Sequence, residues 1–256
     1  LPGLISHPFG WVPKLLPDRT VAKKGRIIHD LRFPANEFSP KEEHPRVITP
    51  TIQAVCLRVL SLALLWPEIP ILLTKRDIEG AFKRIWLALS DIDVFGSDLP
   101  AEEMLAAAWD EATAEDVDEI LEEMAPWIPG GHPTDRRKAW MQMVLTFEVI
   151  YLVLTFGFAG APGHFGMFGL AAEVATQAHA PSETRLNGAE PFDLKSWVDD
   201  GGSVEPFLGY RPFLSTRTYE ANVRRFCGKD GVHEEKIQLA GLPALFAIWW
   251  GVVLDT

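Results

Sequence analysis

Two short apolar runs end in carboxylates, and this pairing constrains the fold more than any other feature of the chain. Ile71-Leu72-Leu73 leads through Thr74-Lys75-Arg76 to Asp77, and the run from Leu194 to Val198 leads directly into Asp199-Asp200. Each run is short and bounded by a proline or by glycines, which is how a buried strand reads. A carboxylate at the end of a buried strand is costly to desolvate, and adjacent carboxylates repel each other. A hard divalent cation removes that cost, because Mg²⁺ takes carboxylate oxygens together with phosphate oxygens. An Asp-Asp pair before Gly201-Gly202 also reads as an ordinary solvated turn, so the pair does not decide the matter alone.

The remaining pattern mixes strands and helices. The first fifty residues are rich in proline and turns, with a short strand expected at Gly25–Leu31. Thr51 to Trp66 carries Val55, Val59, Leu62 and Leu65 at helical spacing and stops before Pro67. A strand is expected over Ile69–Thr74, and a helix or a turn into a strand over Ala81–Leu89. Two amphipathic helices with acidic faces are expected between Asp98 and Met124, broken near Thr113. A long helix is expected over Arg136–Leu154. Another is expected over Ala161–Ala180, opened by Pro162, where proline is tolerated. A loop follows at Ser182–Glu190, then a strand at Leu194–Val198, a helix at Arg217–Phe226 and a closing strand at Ala247–Leu254. This order predicts an α+β fold, a sheet covered by helices. Glycines 157, 160, 163, 166 and 169 recur every three residues. The run is too short and proline-poor for collagen, and it lacks the acidic residue of a dinucleotide fingerprint; close backbone packing explains it most simply.

Composition excludes several classes. Hydrophobic residues make up 47% and charged residues 23% of 256 residues, so the chain can build a core of one large or two small domains. Two cysteines, Cys56 and Cys227, cannot supply a disulfide framework or a four-ligand zinc site, and a reducing, intracellular compartment is expected. The net charge of −11 is local: Asp98–Trp127 holds eleven acidic residues and no Lys or Arg, and the remainder has 24 of each sign. An electropositive surface elsewhere is therefore compatible with the sum. Val149–Gly163 and Leu239–Leu254 carry no charge, but both are shorter than the roughly 20 residues a spanning helix needs and both contain Gly and Pro. They read as core segments; no membrane partner and no signal peptide are expected. Leu1 and Asp255-Thr256 fall in mid-pattern, so the chain reads as a piece of a longer polyprotein.

Taken in order, six motifs from about Val21 to Thr256 resemble the reverse transcriptase domain of retroelements. Gly25-Arg26-Ile27-Ile28-His29-Asp30-Leu31 is similar to the fingers strand whose arginine grips the incoming triphosphate. Lys75-Arg76-Asp77-Ile78-Glu79-Gly80-Ala81-Phe82 resembles the first palm motif, with its metal-binding Asp and its aromatic five residues on. Phe156-Gly157-Phe158-Ala159-Gly160-Ala161-Pro162 resembles the Gly-and-Pro motif opening the helix under template and nucleotide. Trp197-Val198-Asp199-Asp200 resembles the aromatic-x-Asp-Asp turn. Lys236 falls where the family has a lysine near the leaving pyrophosphate. Trp249-Trp250-Gly251-Val252-Val253-Leu254-Asp255 resembles the closing strand near the primer grip.

The resemblance implies a right-hand polymerase palm, an antiparallel sheet with helices on one face, plus partial fingers. Residues 1–74 would be fingers and the first palm helix, and 75–256 the palm, with an acidic helical insertion at about 98–135. It implies an RNA-directed DNA polymerase, a nucleotidyltransferase adding deoxynucleotides to a primer 3′-hydroxyl on an RNA or DNA template with two Mg²⁺ or Mn²⁺ ions. Asp77, Asp199, Asp200 and the Ile78 carbonyl would hold the metals. Arg26, and more weakly Lys24, would bind phosphate oxygens. Phe82 would lie under the sugar and collide with a ribose 2′-hydroxyl. Gly157 and Gly160 would let the backbone approach nucleotide or template, Pro162 would start the helix, and Lys236 would protonate or neutralise the leaving group. The chain departs from the family in the eighty residues between Asp77 and Gly157, and in Gly201-Gly202, where a large apolar residue is usual and the turn is expected to be looser. A thumb and a ribonuclease H domain lie outside the sequence. The alternative is a non-catalytic descendant of the same fold that binds nucleic acid.

Overall fold

The computed structural model describes residues 5–15, 20–31, 40–98, 118, 122, 148–180, 191–240 and 242–256. They fall into two compact units that alternate along the chain: Leu1–Ser39 with Leu87–Phe158, and Pro40–Trp86 with Ala159–Thr256.

In the first unit, β1 (Phe9–Leu15) and β2 (Val21–His29) form an antiparallel hairpin with a register shift between Pro13 and Leu15. Two short strands, β4 (Gly96–Asp98) and β5 (Glu148–Ile150), pair antiparallel beside it. The helix expected over Arg136–Leu154 therefore does not reach Leu154. Glu148–Ile150 is a strand, and the β-branched Val149 and Ile150 suit a pleated ladder better than a helix. Residues 136–147 lie outside the described set. So does the 98–135 insertion, apart from Asp98 at the end of β4 and the helical Asp118 and Glu122, and so does the Ser182–Glu190 loop.

The second unit is built on a three-stranded antiparallel sheet, ordered β3 (Ile71–Asp77), β7 (Asp200–Pro206), β6 (Leu194–Trp197). Before it comes α1 (Ile52–Leu65), whose first turn is closed by Thr51 Oγ1 accepting from the Ala54 N–H at 3.1 Å. After β3 comes a 3₁₀ turn at Ala81–Arg84, entered through Gly80 with φ +58°. Between the paired strands lie α2 (Ala161–Ala178), with Pro162 in its first turn, and, beyond β7, α3 (Arg211–Cys227) and α4 (Glu234–Ala240). The chain closes with β8 (Phe246–Trp249) and β9 (Val252–Asp255).

Strand parity assigns the two faces of the sheet. Leu72, Thr74, Arg76 and Ile78 of β3 share a face with Leu194, Ser196, Gly201, Ser203 and Glu205, and this face meets α2 and α3. Leu73, Lys75 and Asp77 share the other with Asp200, Gly202 and Val204. There Leu73 and Val204 join Val55 and Leu62 of α1 and Trp249 and Leu254 of the last two strands in a second apolar core. Helices therefore cover both faces rather than the one expected, because α1 needs somewhere to bury Val55 and Leu62. The expected single closing strand is a hairpin: Trp250 (φ 48°) and Gly251 (φ 79°) make a two-residue turn with both φ positive, the geometry that matches strand twist.

Neither Gly201 nor Gly202 loosens a turn. Both lie inside β7 and are buried. A Cβ on Gly201 would collide with the Tyr219 phenol, and one on Gly202 with the Trp249 ring and the Thr74 carbonyl. Of the regularly spaced glycines, Gly157 and Gly163 are close approaches of this kind, against the backbones of His29 and Pro45 respectively, whereas Gly166 has open space beside it. Among the described residues no helix is long and apolar enough to cross a membrane.

Candidate functional site

The register of β3 against β7 brings the two carboxylate clusters together. Asp77, the last residue of β3, is directly opposite Asp200, the first of β7. The Ile78 N–H donates to the Asp199 carbonyl at 2.7 Å, so Asp77 and Asp200 form a pair without mutual backbone hydrogen bonds. That is the closer of the two antiparallel pairings, with Cα atoms about 4.5 Å apart and side chains on one face. Asp199 occupies the two-residue turn from β6 to β7 and is exposed. Before it, Val198 sits at φ 51°, a costly conformation for a β-branched residue that persists only when its surroundings impose it. Here the ladder closes on either side, with Trp197 opposite Asp200.

Asp77 is held from both sides. Its carbonyl accepts from the His233 N–H at 3.0 Å, and the next N–H but one, on Glu79, donates to Gly231 at 2.9 Å. The same 231–233 segment leads into α4, from which Lys236 Nζ reaches Asp77 Oδ1 at 2.6 Å. Across the pair, Lys75 Nζ lies 3.2 Å from Asp200 Oδ2. Burial raises the pKa of Asp200 above its ordinary value. Lys75 opposes this rise, and the charges of Asp199 and Asp77 add to it. Asp77 and Asp200 thus bind an ammonium group each, and a cleft of about 410 Å³ opens on Asp77, lined also by Leu73, Lys75 and Lys236 and by Phe246 and Ile248 of β8.

The donor chemistry suits a hard cation. Asp77, Asp199 and Asp200 offer only oxygens, and their mutual repulsion is what a divalent ion would relieve. Among the described residues no three His, Cys, Asp or Glu side chains are arranged to hold a metal as they stand. One oxygen of each of Asp77 and Asp200 is instead bound to a lysine.

Other expected residues divide between the units. Ile78, Phe82, Gly160 and Pro162 belong to the same unit as the carboxylates, whereas Lys24, Arg26 and Gly157 belong to the first. Ile78 is buried in the core beneath the site. Phe82 packs half-buried on that core, edge-on to Phe165 of α2 with ring centroids 6.1 Å apart. Gly160 precedes α2 and is buried; Pro162 lies in its first turn. Arg26 is exposed on β2, its guanidinium 5.6 Å from the Phe156 ring centre. Lys24 lies on the same strand. Gly157 has φ +100°, and the space its missing side chain leaves is filled by the His29 carbonyl rather than left for a ligand.

Sequence reasoning missed the buried ion pairs behind the site. Arg76 Nε donates to Glu220 Oε1 at 2.7 Å, and Arg211 Nε to Glu205 Oε2 at 2.6 Å, all four side chains buried. Strand parity was the available signal for Arg76, because it must face away from Asp77 into the helix-covered side.

No family model matches the chain, and no curated protein does.

Proposed function

We propose that this chain is the palm and partial fingers of a reverse transcriptase-like DNA polymerase, extending a primer 3′-hydroxyl on an RNA or DNA template. One observation carries the reading: carboxylates more than a hundred residues apart, Asp77 and Asp200, face each other in register at the end of an antiparallel sheet, with Asp199 on the adjoining turn. Asp77, Asp199, Asp200 and the Ile78 carbonyl would hold Mg²⁺ or Mn²⁺, which supplies charge stabilisation for in-line phosphoryl transfer. Lys236 would neutralise the leaving pyrophosphate, Arg26 would bind triphosphate oxygens, and Phe82 would exclude a 2′-hydroxyl. Template contacts would be mostly to phosphates and so weaken with salt.

The test is primer extension with deoxynucleoside triphosphates by the protein and its Asp77→Asn and Asp199→Asn variants. Both substitutions abolish extension; activity retained in either refutes the assignment. A second reading, a non-catalytic nucleic-acid-binding descendant, draws support from the two lysines that already neutralise Asp77 and Asp200. It predicts template binding without extension in the unsubstituted protein and without Mn²⁺ binding.

A further inference from the structure

The two lysines suggest a role of their own. Lys75 and Asp77 are two residues apart on β3 and so share its face, with Asp200 across the ladder. Lys75 therefore sits diagonal to Asp200, within reach of it, and bonds it at 3.2 Å. Lys236 comes from a separate element, α4, and takes the other carboxylate. Each lysine side chain is the more exposed member of its pair: Lys236 is 52% exposed against 9% for Asp77, and Lys75 34% against 24% for Asp200. Both lysines line the cleft that opens on Asp77. A strongly hydrated, flexible ammonium is a weakly held partner at such exposure, and it can leave without moving the backbone.

We propose that Lys75 and Lys236 are resident counter-cations of the metal-binding carboxylates, occupying Asp200 and Asp77 until divalent ions displace them. This rests on the metal site of the polymerase reading and extends it. Asp77 and Asp200 are each paired with an ammonium group in the metal-free protein, which offsets their mutual repulsion at the sheet end. Ion binding swaps both partners at once and sets the two ammonium groups free in the cleft. Lys75 is thus a positioning residue that sets how tightly the ions are held, and Lys236 becomes available to phosphate only after the swap.

Two measurements test this, neither needing turnover. The first is Mn²⁺ binding, followed by electron paramagnetic resonance, to the protein and to Lys75→Gln, Lys236→Gln, the double variant and Lys75→Arg. Each lysine-to-glutamine change tightens Mn²⁺ binding by about fivefold, the worth of one partly exposed ion pair, and Lys75→Arg, which keeps the charge, leaves it unchanged. The second needs no substitution. Saturating Mg²⁺ raises the rate at which a neutral acylating reagent labels Lys75 and Lys236, read by peptide mass mapping against the exposed Lys83. Mn²⁺ binding in the unsubstituted protein with equal or weaker binding in the glutamine variants overturns the counter-cation role and leaves the polymerase reading standing. So does labelling that Mg²⁺ does not change in a protein that binds it. Failure of every form to bind Mn²⁺ overturns both.

Discussion

His29, at the end of β2, makes the first unit acid-sensitive by an amount the structure sets. The side chain is 2% exposed. Its Nε2 lies 2.5 Å from Ser97 Oγ, and that hydroxyl lies 2.6 Å from the His7 carbonyl oxygen. A carbonyl can only accept, so the hydroxyl proton goes to His7 and the Ser97 oxygen accepts from Nε2–H. The other ring nitrogen, Nδ1, is buried without a partner. Protonation would put a charge and an unsatisfied N–H there, between Phe9 and the edge-on ring of Tyr151, 4.3 Å away. Burial accordingly lowers the His29 pKa from 6.5 to about 4, with a smaller push from His7.

The unfolded chain keeps the ordinary value. Above pH 6.5 both states are neutral at this ring and its contribution is complete. As the pH falls from 6.5 towards 4, the unfolded chain binds a proton that the folded chain refuses, and stability drains away. The gap between 6.5 and about 4, at 1.36 kcal/mol per pH unit, amounts to about 3 kcal/mol, a large share of the 5–15 kcal/mol typical of a domain. The matched control is His29→Phe, which keeps an aromatic ring against Phe9 and Tyr151, leaves the Ser97 hydroxyl on His7 and cannot titrate. Urea unfolding followed by tryptophan fluorescence, repeated from pH 7 to pH 4, should cost the unsubstituted protein about 3 kcal/mol more than the variant. Parallel pH dependences for the two proteins would falsify the burial of a neutral His29.

Three further outcomes follow from the sheet and its site. Gly202→Ala destabilises by about 1–3 kcal/mol in chemical unfolding, because its Cβ meets both the Trp249 ring and the Thr74 carbonyl; a neutral result would mean that the last hairpin does not pack as described. Arg76→Met costs about 3–5 kcal/mol by leaving Glu220 buried with only its weaker partners, and adding Glu220→Leu recovers much of it. A double variant no more stable than the single one contradicts the pairing. Phe82→Ala admits ribonucleotides in primer extension if the ring guards the sugar, and unchanged sugar selection assigns Phe82 to packing against Phe165 alone.

The parts of the site that were legible in the sequence are those set within a few residues. β3, β6, α1 and α2 follow from apolar run length, Thr51, Pro67 and Pro162, and Asp77 and Asp199 fall at strand ends as expected. The turn at Trp250-Gly251 was not legible, because a tryptophan at positive φ runs against local preference and is held there by tertiary contacts: its ring packs against Trp197 and Trp249. Register was not legible either, since nothing local tells Asp77 to face Asp200 rather than Gly201. A slip by one residue would turn Arg76 to the cleft and Asp77 to the helices. What forbids the slip is distributed: Arg76 needs Glu220 on α3, Thr74 needs Ser203 at 2.7 Å, and Gly202 must lie under Trp249. These partners are up to 144 residues apart in sequence (Arg76 and Glu220), so no local window contains them. The buried polar face toward α3 therefore does for the carboxylates what their own sequence cannot. By making only one register tolerable, it converts two isolated acidic motifs into a single site.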